Sequence, residues 1–427
     1  MDRCVRRAVG ALLLVGLTGC ATQPRRPVPF TPPHAQALAP ADHPCGLAGD
    51  AVMAMSPVPG CLAPFDPAAS DNCPMRRPRH VLALSSGGGY GAYAAGFIDG
   101  WTRSGTRPEF DVVTGVSTGA LMAPFAFLGA EYDAHMGHLY TTIQARDVFR
   151  VRAWVSIPFK DAVATSAPLK RLIEKEITPT LMTRIAEEHR KGRRLYVGTT
   201  NLDTRRLVVW DLGAIACRPC PEGCELFRDV LLASCSVPGM MPPVRFRIQV
   251  DGEPATELHA DGAISAQLFV PSHVFAAAAA GAASDPPAGG GADPNPPGGN
   301  LYAVVSGKLY PDAGAVRPRV LPVLGASVEG LVYAHCRGEL ANLYSLSRAS
   351  GMKYHLTALA QGYQGQGTSV DFDRKAMQAM FAEGGRHGGA GPAWFHGPPA
   401  LSPGDGDFIR SGLRFRRPPE PPAAVAP

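Results

Sequence analysis

Two glycine-rich turns place a serine and a run of backbone N–H groups where they could carry out acyl-transfer chemistry. Ser117 lies in the middle of the sequence Gly115-Val116-Ser117-Thr118-Gly119. The flanking glycines have no Cβ, so a strand can turn sharply into a helix there and hold the serine exposed in a strained conformation. A hydroxyl in this position, beside the N–H groups of a helix N-terminus, is suited to act as a nucleophile.

The other turn contains three consecutive glycines, Gly87-Gly88-Gly89. Consecutive glycine N–H groups can form a concave donor site that binds a phosphate or the oxyanion of an acyl-transfer intermediate. A simple flexible turn is the alternative interpretation, since a turn must end the preceding strand in any case.

The residues around these turns predict two successive strand–turn–helix units. The apolar runs 80–84 and 110–114 are typical of strands, and residues 93–101 and 120–128 are apolar at helical spacing. Two such units in tandem predict a parallel sheet with helical crossovers.

Together these motifs resemble the patatin-like phospholipases, a family of bacterial and plant serine acyl hydrolases. That family has a glycine-rich oxyanion loop after one strand, G-x-S-x-G after the next, and a catalytic aspartate in a downstream D-G-[GA] motif. Asp261-Gly262-Ala263 matches this last motif. Residues 196–202 (YVGTTNL) resemble the family's central strand, and residues 233–244 (ASCSVPGMMPPV) its proline-rich stretch. The resemblance covers about residues 78–385.

The resemblance implies a three-layer α/β/α fold with a mainly parallel central sheet and a single catalytic domain. It implies that Ser117 is the nucleophile, that Asp261 takes its proton directly, and that a lipid or another acyl ester is the substrate. It implies no cofactor and no metal. The other implied site residues are backbone donors or turn residues: Gly87, Gly88, Gly89 and Thr118 for the oxyanion hole, Gly115 and Gly119 for the elbow, and Gly262 and Ala263 for the aspartate motif.

The oxyanion loop departs from the family pattern G-G-G-x-[RK]-G at two positions. Alignment on Gly91-Ala92-Tyr93 puts Ser86 at the first glycine and Tyr90 at the basic residue. The backbone donors are compatible with both replacements, but the loop lacks the usual cation.

Three other functions share some of these features. An α/β-hydrolase with a Ser-Asp-His triad would use a downstream histidine such as His355 or His387. A dinucleotide-binding module would use the glycine loop, with Asp111 as the ribose-binding acid. A catalytically silent lipid-binding or envelope protein would be consistent with Tyr90. The glycine loop one unit before the elbow favours the patatin-like interpretation over the α/β-hydrolase. Asp111 opens its predicted strand, whereas a ribose-binding acid should end one, and this argues against the dinucleotide-binding module.

The N-terminus predicts a lipoprotein leader, residues 1–19. A basic start is followed by a short apolar run at residues 8–17 and by Leu17-Thr18-Gly19-Cys20, which resembles the lipobox of bacterial lipoproteins. We therefore expect Cys20 to be lipidated. Ala21 is not the aspartate that favours the inner membrane, so we expect anchoring in the bacterial envelope, at the outer membrane facing the periplasm.

The rest of the chain divides by composition. Residues 20–77 predict a Pro/Ala-rich tether containing cysteines, residues 78–390 the catalytic domain, 276–300 a low-complexity insertion, and 391–427 a Pro/Gly-rich tail. Cys217, Cys220 and Cys224 have no fourth ligand at zinc-like spacing. In an exported protein this favours disulfides.

Composition also bears on partners. The 41 Lys and Arg residues against 36 Asp and Glu give a formal charge of +5. This weak excess, with no basic stripe, does not indicate nucleic-acid binding. The sequence leaves the oligomeric state open.

Overall fold

The computed structural model describes residues 52–53, 74–153, 160–218, 220–250, 253–284, 298–364, 370–392 and 394–399. The predicted leader, Cys20, most of the predicted tether and residues 400–427 of the predicted tail lie outside these ranges. No helix among the described residues combines the length and the apolar character that a membrane crossing requires.

A nine-stranded sheet forms the middle layer, and two further short strands pair antiparallel beside it. The strands are β1 Val52–Met53, β2 His80–Leu84, β3 Val112–Val116, β4 Arg150–Val151, β5 Ala164–Thr165, β6 Arg194–Asn201, β7 Arg206–Asp211, β8 Val244–Val250, β9 Glu253–Asp261, β10 Asn300–Val304 and β11 Lys353–Thr357. The order in the sheet is β1-β7-β6-β3-β2-β10-β11. The run from β6 to β11 is parallel, whereas β7 and β9 pair antiparallel with β6.

Eleven α-helices are described around this sheet. They are α1 Gly91–Arg103, α2 Thr118–Leu128, α3 Asp133–Thr142, α4 Ala145–Val148, α5 Ala167–Glu176, α6 Pro179–Arg190, α7 Leu212–Ala216, α8 Pro221–Ser234, α9 Ser272–Ser284, α10 Val320–Ala349 and α11 Arg374–Gly389.

The core lies on both faces of the sheet. Alternate residues of β2 point to opposite sides, so Leu82 and Leu84 belong to one buried cluster and Val81 and Ala83 to the other. Both faces are apolar because helices cover both of them. The predicted α/β/α architecture with a mainly parallel sheet is therefore confirmed.

Helices α1 and α11 cross at very short distance because both present glycines at the contact. A Cβ added at Gly384 would lie 2.7 Å from Phe97 N, and one added at Gly388 would lie 2.6 Å from Trp101 N. Gly96 and Gly100 of α1 face the same crossing. The glycines at 384–389 thus form a packing surface within α11.

Two predicted low-complexity regions are more ordered than expected. Residues 276–284 lie in helix α9, consistent with the high helix propensity of an alanine run, and the rest of the predicted insertion up to residue 297 lies outside the described residues. Beyond α11, Trp394 packs against Trp101 and Tyr302, and the backbone of Phe395 pairs with that of Leu356. The folded domain therefore extends past residue 390.

Candidate active site

Ser117 forms the whole turn between β3 and α2. The strand continues to Val116 and the helix starts at Thr118. The observed turn is therefore one residue long, whereas the sequence predicted a turn of five residues. Ser117 has φ 54° and ψ −121°, a conformation that costs energy for a residue with a side chain. This turn directs the hydroxyl to the carboxyl edge of the sheet, in front of the N-terminus of α2.

The two elbow glycines are required by close backbone contacts. A Cβ at Gly115 would lie 2.5 Å from the carbonyl oxygen of Gly119. A Cβ at Gly119 would lie 2.7 Å from the carbonyl oxygen of Ser85. The G-x-S-x-G pattern therefore lets the helix start directly against the two strands that precede it.

The sheet topology brings Asp261 next to Ser117 although 144 positions separate them. On one side of β6, the last residue of β3, Val116, is opposite Gly198. The next position of β6, Thr199, is opposite Asp261 of β9. Strand β9 thus takes the place of β3 beside β6 at the point where β3 ends, and Asp261 follows Val116 in that row.

The two side chains are hydrogen-bonded. Ser117 Oγ donates to Asp261 Oδ2 at 2.7 Å, and the N–H of Ala263 donates to Asp261 Oδ1 at 2.9 Å. Both residues are buried. Burial raises the pKa of Asp261 to about 7, against the opposing effects of the Ala263 N–H and the Ser117 hydroxyl. Such a carboxylate can accept a proton near neutral pH.

The last residue of α8 and the residue that follows it hold the backbone of the elbow. Ser234 Oγ accepts from Ser117 N–H at 2.9 Å and donates to the Gly198 carbonyl at 2.7 Å. The Cys235 thiol donates to the Ser117 carbonyl at 3.3 Å. Both residues belong to the small-residue stretch singled out in the sequence, but their roles depend on contacts that no motif shows.

The glycine loop lies directly in front of the elbow. Gly88 begins a short 3₁₀ turn that ends at Tyr90, with Gly88 at φ 55°. A Cβ at Gly87 would lie 2.6 Å from Ser306 Cβ. Gly88 and Thr118 both line the cavity at Ser117, and each is the first residue of its helical turn. Their N–H groups therefore have no partner within that turn.

Thr118 is fixed from the other side by Tyr140. The Tyr140 hydroxyl donates to the Thr118 carbonyl at 2.9 Å, so the Thr118 hydroxyl, 2.7 Å away, is the donor to Tyr140. A Cβ at Gly91 would lie 2.7 Å from the Tyr140 ring. Gly91 aligns with a glycine of the family pattern. A larger residue would not fit there, because the glycine loop contacts Tyr140 and the start of α2 at this point.

Tyr90 is half-buried at the position of the family's basic residue. Its pKa is raised, first by burial and then by the nearby charges of Asp312, Glu329 and Asp371. The loop is held by other groups instead: the Ser86 N–H donates to the Gln267 carbonyl at 2.8 Å, and the Ser306 N–H donates to Ser85 Oγ at 2.8 Å. Hydrogen bonds from backbone N–H groups therefore anchor this loop, in which Tyr90 replaces the usual cation.

An apolar cavity of about 110 Å³ leads away from the serine. Helices α2, α3 and α5 supply much of its lining. Representative lining residues are Leu121, Phe125, Leu139, Phe149, Leu169 and Ile173. The site residues lie at one end of the cavity, and the rest of the lining is mainly apolar. Such a cavity suits a hydrocarbon chain.

The geometry gives no support to the two competing interpretations of the site. In the described chain the Ser117 hydroxyl pairs with Asp261 and with no histidine. The candidate histidines have other partners: His259 has Thr199 and Glu257, His355 has Asn300, and His387 has Tyr93 and Glu383. Burial also lowers the pKa of His355 to about 3.

Asp111 has a structural role at the opposite edge of the sheet. It directly precedes β3, and its carboxylate accepts from the N–H groups of Arg79 at 2.7 Å and His80 at 2.8 Å. It also pairs with Arg76. A ribose-binding acid would instead lie at the carboxyl edge, near the glycine loop.

The prediction of disulfides for the cysteine cluster is correct for one residue and wrong for two. Cys220 is disulfide-bonded, and none of the other four described cysteines is its partner. Cys224 is a thiol, and the thiol of Cys217 donates to the Ala186 carbonyl at 3.8 Å. Among the described residues no group of three or more His, Cys, Asp or Glu side chains is placed to hold a metal ion.

Comparison with known families identifies the segment that contains these features. The model of the patatin-like phospholipase family matches residues 82–272. This chain contains a patatin-like phospholipase domain. The matched segment of the patatin-like domain includes the glycine loop, Ser117 and Asp261. The match of this segment supports lipid acyl hydrolase activity in broad terms.

Two further comparisons add little to the patatin-like assignment. VipD from Legionella pneumophila is a solved structure similar to this chain, with 12% sequence identity and a TM-score of 0.36. The similarity covers 74% of this chain and 67% of that chain. No curated protein matches the chain.

Proposed function

We propose that the patatin-like domain hydrolyses acyl esters of lipids through a Ser117–Asp261 dyad. The observation that carries the proposal is the 2.7 Å hydrogen bond from Ser117 Oγ to a buried Asp261 carboxylate, at the end of an apolar cavity. The family supports the lipid substrate class, and the geometry supports the roles of the two residues.

The proposed reaction has two stages. Ser117 Oγ attacks the acyl carbonyl carbon while Asp261 takes the hydroxyl proton. The resulting oxyanion is stabilised by backbone N–H groups of Gly87, Gly88 or Gly89 and of Thr118. The intermediate then expels the alcohol, which takes the proton from Asp261. A water molecule, with Asp261 again as the base, attacks the acyl-enzyme, releases the carboxylic acid and regenerates Ser117.

The apolar cavity is the proposed site for the acyl chain. It begins at Ser117 and Thr118 and continues among aliphatic and aromatic side chains. A chain bound there would place its carbonyl carbon at the serine, because the cavity and the proposed oxyanion donors meet at that point. Binding of the chain would also remove water from the dyad.

We further propose that the protein is attached to the bacterial envelope through lipidated Cys20. The support is the leader pattern, a basic start, a short apolar run and Leu17-Thr18-Gly19-Cys20. Several acyl chains on one residue give stable anchoring, since each buried methylene contributes about 0.8 kcal/mol. The outer membrane facing the periplasm is the proposed location.

Labelling with a fluorophosphonate probe tests the enzymatic proposal. The probe should form one adduct, at Ser117, and Ser117→Ala should abolish labelling. Ser345→Ala, which changes an exposed serine of α10, is the matched control and should label as the wild type does. Equal labelling of Ser117→Ala, or no labelling of the wild type, would favour a catalytically silent lipid-binding protein.

A further inference from the structure

Helix α10 is much longer than the strands that it connects. It has 30 residues and joins the parallel strands β10 and β11, which have five residues each. At about 1.5 Å per helical residue and about 3.3 Å per strand residue, the helix is roughly 45 Å long and each strand roughly 17 Å. The buried residues of the helix, from Cys336 to Ser347, all lie in its second half. Residues 320–335, which we term the apolar arm, extend beyond the packed part.

The apolar arm lies at the same edge of the sheet as the candidate active site. A helix that connects two parallel strands runs back from the carboxyl edge to the amino edge. The arm is the beginning of α10, so it lies at the carboxyl edge, where Ser117 follows β3. Glu329 of the arm is near enough to Tyr90 of the glycine loop to affect the pKa of that tyrosine.

The outer face of the arm is apolar although it faces solvent. Val320 is 81% exposed, Leu321 78% and Leu331 69%. At about 100° per residue, positions 320, 321, 324, 328, 331 and 332, all Val or Leu, fall within about 120° of one another around the helix. Cys336 and Leu340, which are buried, lie about 100° and about 140° from the middle of this face. A surface helix of a globular protein normally has the reverse pattern, with its polar face toward water.

The charges near the arm are arranged asymmetrically. Arg317 and Arg319 directly precede it. Glu329 is its one acidic residue. It follows Val320 by nine positions, so its side chain points about 180° away from that of Val320 around the helix axis. The apolar face thus has cationic groups at its start and its acid on another side. This combination is complementary to an anionic lipid surface, which offers hydrocarbon next to phosphate.

We propose that the apolar arm binds to the surface of an anionic lipid bilayer, with α10 lying in the plane of the interface. Val320, Leu321, Leu324, Val328 and Leu331 contact the acyl region, while Arg317 and Arg319 contact headgroup phosphates. The convex shape of a projecting helix, together with its arginines, favours a membrane over a second protein chain. The idea that membrane binding brings the active site to its substrate rests on the proposed function. Membrane binding by the arm does not itself require catalysis.

Vesicle flotation tests the proposal. The full chain carries Cys20→Ser, so that no acyl anchor contributes, and Ser117→Ala, so that the lipid is not consumed; the leader then contributes equally to all variants. The vesicles are phosphatidylcholine mixed with phosphatidylglycerol, and phosphatidylcholine alone. Leu321→Glu/Leu331→Glu should lower binding about tenfold or more, because two apolar side chains are replaced by charges that the bilayer repels.

Two further variants provide the matched controls. Val151→Glu/Val163→Glu makes the same charge change at valines that are 62% and 40% exposed away from the arm, and it should bind as the parent does. Arg317→Gln/Arg319→Gln should weaken binding to the mixed vesicles by roughly fivefold per arginine. It should have little effect on phosphatidylcholine alone. Circular dichroism and thermal melting check that each variant is folded.

Several results would overturn the proposal. Unchanged flotation of Leu321→Glu/Leu331→Glu would exclude the arm as the membrane contact, and so would a parent chain that does not float. If sedimentation shows a parent dimer that Leu321→Glu/Leu331→Glu converts to a monomer, with no flotation of either, the arm instead binds a second copy of the chain. Arm-dependent flotation, combined with a lack of fluorophosphonate labelling in the chain that keeps Ser117, would leave this inference standing and refute only the proposed enzyme.

Discussion

The chemistry of the site depends on how one carboxylate is surrounded. Asp261 is enclosed by the protein, and burial raises its pKa to about 7, while the N–H of Ala263 and the hydroxyl of Ser117 favour the charged form. An aspartate with its ordinary pKa would be a weak proton acceptor. The raised value improves the match between Asp261 and the serine proton at neutral pH.

This pKa predicts the acidic limb of the pH profile. Below about pH 7 Asp261 becomes protonated and cannot take the serine proton, so kcat/KM for a soluble short-chain ester should fall about tenfold per pH unit. Above that pH the rate should level off. The control is Asp211→Asn, since Asp211 is another buried acid whose pKa burial raises, to about 6. A limb that moves in Asp211→Asn, or a rate that is flat from pH 5 to 8, would contradict the assignment of the limb to Asp261.

The sequence predicted the two residues of the proposed dyad but not the residues that hold them in place. Ser117 and Asp261 lie in short motifs whose glycines are required by local backbone contacts, so the pattern is visible without the fold. Ser234 and Tyr140 act through hydrogen bonds to the elbow and to Thr118. Those bonds form only when separate helices pack together, and no local spacing encodes them.

At the scale of the elements, the sheet positions the site through one exchange of neighbours. Strand β9 replaces β3 alongside β6 at the point where β3 ends. The apolar run at residues 80–84 predicted β2, and the run at 110–114 overlaps β3, because buried strands have continuous apolar sequences. The pairing of β9 with β6 is a long-range contact, so the sequence could place Asp261 only through its family resemblance.

The crossing of α1 and α11 predicts a specific sensitivity to added methyl groups. Gly384→Ala should destabilise the protein by about 1–3 kcal/mol, because its Cβ would overlap the backbone of α1. Gly389→Ala is the matched control in the same helix, since its Cβ would be 3.6 Å from the nearest neighbouring atom. It should be neutral or slightly stabilising, given the higher helix propensity of alanine.

Denaturant unfolding measures both variants. Equal midpoints for Gly384→Ala and Gly389→Ala would show that the two helices do not pack as closely as described. The sequence did not reveal this packing, because glycine has a low helix propensity and gave no sign that α11 continues to residue 389. The distinction depends on the opposing glycines of α1, which lie almost 300 residues earlier in the chain.

At the scale of the whole molecule, three features favour work at a membrane: the proposed anchor at Cys20, the cavity that opens beside Ser117, and the apolar arm. The cavity and the arm share the carboxyl edge of the sheet. An enzyme attached by its N-terminus and bound by its arm would hold this edge toward the lipid. The anchor was predicted from the sequence alone and remains a prediction.

Replacement of Cys20 tests the anchor. Cys20→Ser removes the thiol that would be acylated, so the protein should leave the membrane fraction or keep an uncleaved leader. Cys4→Ser, in the same leader, is the control and should fractionate as the wild type does. Unchanged fractionation and mass of Cys20→Ser would show that the chain is not a lipoprotein.

Hydrolysis by Asp261→Asn tests the central claim most directly. Asparagine keeps the size of the side chain and can still accept from the Ala263 N–H, but it cannot take the serine proton. With a soluble short-chain ester we expect kcat to fall by about 10²–10⁴-fold or more, with unchanged thermal unfolding. Single replacements of His259, His273, His335, His355 and His387 should each leave most of the activity. Near-normal hydrolysis by Asp261→Asn, together with one histidine as essential as Ser117, would contradict the dyad and indicate a triad.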